Sequence, residues 1–400
     1  MSNESQRAET QTAPFDPADP VHHADAAPRA AAARASCPVG EPRPGVFVVS
    51  RFEDVHGVLN DVGRFSNFGN FQLERDAEPP GGVELVTQLD PPAHTSLRRH
   101  LLRRFAPREL RRQEPRVRAI AGDVLDALSP GQSVDVFAEI ARPVTSRTVY
   151  AFLGFPEEDW PRIKQWGDAV NETLPEPFDS MPEFHALIGY LMELAAARRA
   201  QPPTGADVLD MLLHTPLEGG EPLTVEEAAV HTMQLVFAGT DTTASLISNL
   251  LYELLRERGN WERLLEDRSL LDAAIEESLR HDSPLQMIMR SVKDDTEIAG
   301  CPVHRRDKLI LSLQSANWDE RTWGPDAADF SLDRPREQGH VAMGNGIHAC
   351  LGAPLARLQC RIVLELLLDR FPDLRLRDGY DHELAPGVLV RRPLELPVVL

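Results

Sequence analysis

The sequence predicts a mainly α-helical protein with a small β-rich region. Helical periodicity of apolar residues dominates residues 116–280, and one more apolar helix is expected from about 351 to 370. The strand-like runs outside these segments are short, namely GVFVVS, TEIAG, KLILSL and an extended C-terminal tail. No internal repeat divides the chain. We therefore expect one domain over residues 1–400, in which residues 1–40 pack loosely.

The N-terminal third combines a strand, a short helix, a long loop and a basic helical segment. The run 45–50 reads as a strand, and Ser50 with Glu53 predicts a capping box for the helix that follows. Residues 69–92 carry Gly and Pro with little periodicity, which is typical of a long loop. The next segment, 94–118, holds nine arginines in a chain of net charge −20. They form either a solvated helical face or a docking patch for an acidic partner.

The longest helix is expected over residues 224–259. Thr224 can cap its start because Glu227 follows three residues later. Apolar residues on nearly all sides predict a buried, central helix, yet the polar stretch AGTDTT interrupts it at 238–243. Threonine in a helix can bond back to the carbonyl four residues earlier and bend the helix. This turn is either a kink with internally satisfied polar groups or a widening that admits dioxygen and water beside a ligand.

Composition excludes several classes of function. The strong acidity argues against a general nucleic-acid binder. No apolar run reaches the ~20 residues of a membrane span, and no secretory signal opens the chain. We therefore expect a cytoplasmic protein without membrane contact. The four cysteines include no CxxC pair, which argues against structural zinc, and a reducing cytoplasm disfavours disulfides.

The stretch GNGIHACLG, 344–352, concentrates glycine, histidine and cysteine before a helix. It fits the dinucleotide pattern G-x-G-x-x-A, but the preceding residues are polar where that pattern needs a buried strand. The other interpretation starts from Cys350, where the positive end of the helix favours a thiolate. Gly346 and Gly352 leave room for a flat ligand beside it. With no second cysteine or histidine at ligand spacing, the metal must bring its own equatorial ligands, which points to haem iron.

These residues carry a family resemblance. The segment HVAMGNGIHACLGAPLAR, 340–357, resembles the haem-binding loop F-G-x-G-x-H/R-x-C-x-G of the cytochrome P-450 monooxygenases of the soluble bacterial type. It departs from that pattern at Met343, where the family usually has phenylalanine. AGTDTT is similar to the family's A/G-G-x-D/E-T-T signature, and DPPAHTSLRR is similar to DPPxHxxxR. The resemblance implies the cytochrome P-450 fold, with haem b (iron protoporphyrin IX) between the long central helix and the cysteine-loop helix.

The resemblance also implies roles for individual residues. Cys350 is expected to ligate the iron, Thr242 to hydrogen-bond the dioxygen being activated, and Asp241 to relay protons. Glu277, Arg280 and Arg334 are expected to form a structural salt-bridge network. The residues expected to hold the haem propionates are His94, Arg98, Arg290, His340 and His348. The residues expected to line the substrate pocket, with the loop 69–89 and part of 168–190, are Leu235, Val236, Ala238, Leu285, Met287, Ile288 and Met289.

The implied reaction inserts one atom of dioxygen into a medium-sized hydrophobic small molecule, as in natural-product biosynthesis. No flavin or iron–sulfur motif is present, so the electrons are expected from a separate ferredoxin and its ferredoxin reductase, with ferredoxin docking on the arginine-rich face. Two alternatives remain at this stage. One is a peroxide-driven haem-thiolate peroxygenase, and the other is a non-catalytic haem-binding sensor or recruitment module.

Overall fold

The computed structural model describes residues 15–19, 26–70, 85–173, 181–335 and 337–400, and it confirms a mainly helical protein with small sheets. The α-helices in these ranges are α1 (Ala26–Ser36), α2 (Phe52–Asn60), α3 (Ala93–Leu102), α4 (Pro107–Asp126), α5 (Arg142–Leu153), α6 (Trp160–Thr173), α7 (Pro182–Arg199), α8 (Val208–His214), α9 (Val225–Gly239), α10 (Asp241–Arg256), α11 (Arg258–Glu266), α12 (Leu271–His281), α13 (Leu313–Asn317), α14 (Glu320–Trp323) and α15 (Ala353–Arg370).

The strands form three small sheets. They are β1 (Val39–Arg43), β2 (Val46–Val49), β3 (Phe65–Ser66), β4 (Ser133–Asp135), β5 (Met287–Val292), β6 (Thr296–Ile298), β7 (Cys301–Val303), β8 (Lys308–Ser312), β9 (Arg375–Leu376) and β10 (Pro397–Val399). The largest sheet has the order β1-β2-β8-β5-β3, and only its β2–β8 pair is parallel. No described helix has both the length and the apolar character that crossing a bilayer demands.

Helix α10 lies at the centre of the main hydrophobic core. Its residues from Thr243 to Leu255 are buried almost without interruption, and it packs against α5, α12 and α15. A helix that is apolar on nearly all sides has to be enclosed in this way. The elements that carry the predicted site residues are therefore arranged around one buried helix.

The long helix expected over 224–259 is two helices, α9 and α10, which meet inside the AGTDTT stretch where the sequence predicts a kink or a widening. Its start is as expected, because Thr224 and Glu227 form a capping box. The break falls at Thr240, whose backbone leaves the regular helical conformation at φ −87° and ψ −73°. The hydroxyls of Thr240 and Thr242 donate to the carbonyls of Val236 and Ala238, at 3.1 and 2.8 Å. These side chains compete for carbonyls that a continuous helix would use in its own ladder.

Two other helix starts differ from the sequence prediction. The basic segment 94–118 is divided between α3 and α4, because Pro107 begins α4 and its ring cannot continue the preceding helix. Helix α2 has no capping box, since Ser50 donates its hydroxyl to the Pro38 carbonyl instead. The Phe52 N–H donates to the Asp319 carboxylate at 2.9 Å. This cap comes from 267 residues away in the chain, which local sequence cannot reveal.

The described part of the N-terminal segment is not loosely packed. Residues 26–36 form α1, and the Arg34 side chain is buried against α13 and α14. Its guanidinium donates to the Ser315 carbonyl at 3.1 Å and to Glu320 at 2.7 Å. A buried guanidinium needs such partners, so α1 is bound to the structure at this point.

The segment between β8 and Cys350 is held by a buried carboxylate. Glu277 on α12 accepts two hydrogen bonds of 2.8 Å from Arg280, one of 2.9 Å from Arg334 and one of 3.0 Å from the Ser331 N–H. The two arginines also donate to the carbonyls of 317, 323, 326, 327 and 329. The structure thus brings Glu277, Arg280 and Arg334 together, and the network orders a segment that has little regular secondary structure.

Replacing Glu277 with alanine should lower the free energy of unfolding by about 3–5 kcal/mol, because two buried guanidinium groups lose their counter-charge. Denaturant unfolding of both proteins measures the difference. The matched control is Arg263→Ala, which removes an exposed ion pair with Asp333 and should cost less than about 1 kcal/mol. Equal effects of the two substitutions would show that the network does not hold the segment.

Candidate functional site

The Cys350 loop is a tight turn pressed against the end of α2. The Cys350 N–H donates to the Met343 carbonyl at 2.7 Å, which closes the loop around a short 3-10 turn, Gly346–His348. Gly346 has φ +68°, and a Cβ at this position would lie 2.8 Å from the Leu59 carbonyl oxygen. Both the left-handed conformation and the close approach require glycine here. The loop therefore fixes where Cys350 stands relative to α15.

The environment of the Cys350 thiol does not by itself produce a thiolate. Burial raises its pKa, while the N–H groups of Gly352 and Ala353 and the charge of Arg98 act to lower it. The N–H groups at the helix end favour the thiolate, as expected from the sequence, but burial of the sulfur prevails over them although Cys350 keeps accessible surface. A bound metal cation supplies the missing positive charge and deprotonates a coordinating thiol.

Four basic side chains converge beside the loop. Arg98 on α3 donates to the Ala349 carbonyl, and the rings of His94 and His348 lie 4.0 Å apart. Arg290 on β5 is 3% exposed, and its guanidinium donates to the carbonyl of the neighbouring residue 289 at 2.8 Å. Both ring nitrogens of His94 and Nε2 of His348 are buried without a hydrogen-bond partner. Buried polar atoms are nearly always satisfied, so this cluster has the chemistry of a site for an acceptor group.

The pKa values of the cluster report its positive electrostatic potential. Burial lowers the pKa of His94 to about 4, and neighbouring Arg98 lowers it further. Burial also lowers the pKa of His348 to about 3, with contributions from His94, Arg290 and Arg98. Both imidazoles are therefore neutral near pH 7. The Asp90 carboxylate acts on Arg290, whereas the charge that acts on Arg98 is that of Cys350. An anionic ligand would be stabilised there.

The donor set fits haem. Within the described ranges, the grouping of His, Asp and Glu side chains suited to a metal ion is Glu253, His281 and Asp282, and it does not include Cys350. A metal at Cys350 consequently has to bring its other ligands, as a porphyrin does. The basic cluster beside the thiol matches the two propionates of such a group. Cys350, His94, Arg98, Arg290 and His348 lie where both requirements can be met at once.

His340 does not belong to this cluster, so its prediction as a propionate ligand is wrong. Its Nε2 lies 3.2 Å from Glu276, and its Nδ1 accepts from the Ala342 N–H at 3.2 Å. Glu276 also accepts from Arg357 at 2.5 and 2.8 Å, so this group connects α12 to α15. Both ring nitrogens are engaged, and His340 has none left for a propionate. Its position explains its function as part of a bridge that supports the cysteine loop.

Asp241 and Thr242 begin α10 immediately after the helix break. The two Asp241 oxygens accept from Arg142 Nε and Nη2 at 3.1 and 3.2 Å. Arg142 also pairs with Asp168 on α6 at 3.2 Å. Burial raises the pKa of Asp241 although Arg142 opposes this shift. A carboxyl group with a raised pKa exchanges protons closer to neutral pH than an ordinary aspartate.

Arg142 is the site residue that sequence reasoning missed. It lies 99 positions before Asp241 in the chain and belongs to no recognised motif. Its proline neighbour marks only the start of α5. The sequence indicates only that such a partner must exist, because a carboxylate in a buried helix requires a counter-charge from elsewhere in the fold.

The residues predicted to line the substrate pocket separate into different environments. Met287 and Met289 lie on one face of β5 and pack with Val46, Val48 and Ile310, while Ile288 lies on the other face. All three therefore cannot line one pocket, and this part of the prediction is wrong. Val236 is 1% exposed and packs inside a hydrophobic core, so it cannot line a pocket either.

The other predicted pocket residues, Leu235, Ala238 and Leu285, keep accessible surface. Ala238 is exposed although it lies one turn before the helix break, and Leu235 is half-buried. Leu285 pairs with Val390 through an isolated β-bridge. Residues 71–84 of the predicted loop and 174–180 of the other predicted segment lie outside the described residues.

Comparison with known proteins shows similarity over nearly the whole chain. The family model described as Cytochrome P450 matches residues 42–393. The chain is 31% identical to Cytochrome P450 130 of Mycobacterium tuberculosis over 99% of this chain and 98% of that protein. It is 32% identical to the mycinamicin IV hydroxylase/epoxidase of Micromonospora griseorubida over 98% and 99%. The crystal structure of CYP109E1 from Bacillus megaterium in complex with testosterone has a TM-score of 0.83 and 29% identity, covering 96% of this chain and 99% of that one.

Replacing Glu276 with glutamine should make the α12–α15 bridge lose its charge. Burial raises the pKa of Glu276, but hydrogen bonds from Arg357 and His340 prevail and lower it to about 2. Because the folded pKa lies below the unfolded one, the ionised carboxylate stabilises the protein above the unfolded pKa. We expect a deficit of about 1.5–3 kcal/mol near neutral pH, which shrinks as the pH falls from the unfolded pKa toward the folded one.

Denaturant unfolding of both proteins at pH 7 and at about pH 3, which lies between the unfolded and folded pKa values of Glu276, measures this deficit. The control is Asp369→Asn, which removes the exposed partner of Arg268 and should change little at either pH. A deficit that stays constant with pH would assign the effect of Glu276→Gln to packing.

Proposed function

This chain belongs to the cytochrome P450 family, and from that premise we propose that it is a haem-thiolate monooxygenase that oxidises a medium-sized hydrophobic small molecule in natural-product biosynthesis. The observation that carries the proposal is the placement of one thiol, Cys350, before α15 and beside a buried basic cluster. The family's members among the relatives include enzymes named as hydroxylases, which are oxidoreductases.

The proposed cofactor is haem b. Cys350 would ligate the iron, and Arg98, Arg290, His94 and His348 would hold the propionates. When bound, the haem would supply the activation of dioxygen: two electrons and two protons are consumed, one oxygen atom enters the substrate and the other is released as water. The chain's own contribution is the ligand, the proton supply and the shape of the pocket.

The proposed proton supply uses Asp241 and Thr242. The Asp241 carboxylate takes up a proton from water when one of its oxygens is released by Arg142, which keeps Asp168 as a second partner. The carboxyl group then passes that proton toward dioxygen. Thr242 supplies a hydroxyl donor for the same place once its bond to the Ala238 carbonyl opens. The break at Thr240 supports this proposal because it frees polar groups on an otherwise closed helix.

The proposed electron source is a separate ferredoxin with its reductase. The arginine-rich face retains three exposed arginines, Arg103, Arg108 and Arg111, for which the described residues offer no ion-pair partner. Most of the other arginines in this segment are engaged with Glu109, Glu157, Glu218 and Glu365. Exposed Leu102 lies next to Arg103 and adds an apolar contact. An acidic iron–sulfur protein complements such a surface.

The haem-thiolate assignment is tested by the absorption spectrum of the ferrous carbonyl adduct. The wild-type protein should show the thiolate type, and Cys350→Ala should lose it because the sole protein ligand is gone. Cys360→Ala is the matched control, since Cys360 is a fully buried cysteine on α15. It should leave the spectrum unchanged. An imidazole-type spectrum in the native wild-type protein would overturn the proposal.

The ferredoxin proposal is tested by reversing three charges. Arg103→Glu, Arg108→Glu and Arg111→Glu together should slow reduction by a [2Fe–2S] ferredoxin by about tenfold at low salt, and the loss should shrink at high salt. Stopped-flow reduction measures both. The control reverses Arg305, Arg321 and Arg375, which changes the net charge equally on other surfaces. Equal rates for the two triple variants would contradict docking on this face.

A further inference from the structure

Gln234 on α9 is a buried polar side chain, and it is the centre of a group of side chains that we call the polar point. Gln234 is 9% exposed, and its Nε2 lies 2.6 Å from the Thr87 hydroxyl oxygen. Its Oε1 is buried without any hydrogen-bond partner. An unsatisfied buried amide oxygen costs about 1–3 kcal/mol. A native protein rarely keeps such an atom unless a ligand or water satisfies it.

Gln234 lies on the face of α9 that leads to the proposed oxidation site. Positions four residues apart share a helix face, so Gln234 and exposed Ala238 lie on one stripe. Thr242 follows at the same spacing across the helix break. Thr87 belongs to the turn that leads into α3, which carries Arg98 of the basic cluster. The stripe therefore runs along α9 to the helix break, and the bond from Gln234 to Thr87 joins it to the turn before α3.

Neighbouring side chains supply further unpaired polar atoms. His231, one turn before Gln234, is 4% exposed and its Nδ1 has no partner. Gln88, next to Thr87, is 5% exposed and its Oε1 has no partner. Burial lowers the pKa of His231 to about 4, although Glu227 and the side chain of Gln234 act to raise it, so His231 is neutral near pH 7. The side chains of this polar point are thus all uncharged, which disfavours a buried carboxylate or ammonium as the group they recognise.

We propose that Gln234, oriented by Thr87, is a specificity-determining residue that binds a hydroxyl group of the substrate. A hydroxyl fits whichever way the amide is oriented, because it can donate to Oε1 or accept from Nε2. The substrate class is therefore a hydrophobic alcohol held at one end by this polar point, with its carbon skeleton extending toward Ala238. This inference rests on the proposed function, since it names the substrate class of the same site.

The test compares alcohols with their hydrocarbon counterparts as probes. The pairs are adamantanol and adamantane, decanol and decane, and testosterone and its counterpart without the ring hydroxyl. Binding is measured by the spin-state change of the ferric haem and by the shift in thermal unfolding. The wild-type protein should bind at least one alcohol about tenfold more tightly than the corresponding hydrocarbon, which is the difference expected of one good hydrogen bond. Gln234→Leu should abolish that preference, because the apolar side chain cannot bind the hydroxyl.

Two further variants make the test decisive. Thr87→Val removes the group that orients the amide and should weaken the preference even if Gln234→Leu folds poorly. Gln314→Leu is the matched control, because Gln314 on α13 is also a buried glutamine whose Nε2 is bonded and whose Oε1 is unpaired. It should keep the preference.

Two results would overturn the inference. One is equal or weaker binding of every alcohol by the wild-type protein, and the other is a preference that survives in Gln234→Leu. A thiolate-type carbonyl spectrum accompanied by either result would refute the hydroxyl site while leaving the proposed haem chemistry standing.

Discussion

The structure depends on the Glu277 carboxylate, which is shared by two buried arginines. The guanidinium groups of Arg280 and Arg334 reach five backbone carbonyls on the segment between α13 and the cysteine loop. Each charge in this network is tolerated only because the others are present. The network thereby turns an irregular segment into a rigid support. The bridge formed by Glu276, Arg357 and His340 lies beside it and extends the same support to α15.

The same constraint on buried charge separates structural groups from functional ones. The charges of Glu277 are fully compensated within the chain, so that group can only hold structure. Asp241 is hydrogen-bonded to Arg142, which has a second carboxylate partner, so the pairing of Asp241 can change without leaving Arg142 alone. The guanidinium groups of Arg98 and Arg290 have little compensation, and the imidazoles beside them keep unpaired nitrogens. The extent to which the charge of a buried group is neutralised by its neighbours thus separates three functions. Glu277 supports the fold, Asp241 is proposed to move protons, and Arg98 and Arg290 are proposed to bind an anionic ligand.

The helix break at Thr240 connects this electrostatic pattern to the proposed chemistry. A continuous helix would have hidden its carbonyls in the hydrogen-bond ladder and would have left Asp241 in an apolar core. The break places Asp241 and Thr242 in the first turn of α10, where backbone N–H groups and side-chain hydroxyls are available. The unpaired amide of Gln234 lies on the same stripe two turns earlier. Proton supply and substrate recognition would therefore share one surface of α9 and α10.

The sequence by itself determined the helical class, the cap at Thr224, the family-like loop around Cys350 and the pairing of Glu277 with Arg280, because each depends on local periodicity or on a short ordered pattern. The third member of that group, Arg334, followed only from the family resemblance, since it lies 57 residues from Glu277. Tertiary structure alone decided the cap of α2 by Asp319, the pairing of Asp241 with Arg142, the engagement of His340 by Glu276 and the unpaired amide of Gln234. These contacts join residues far apart in the chain, so no local spacing encodes them. Tertiary structure also decided the protonation tendency of Cys350, since a pKa reflects how burial balances against every charge and donor that the fold brings near.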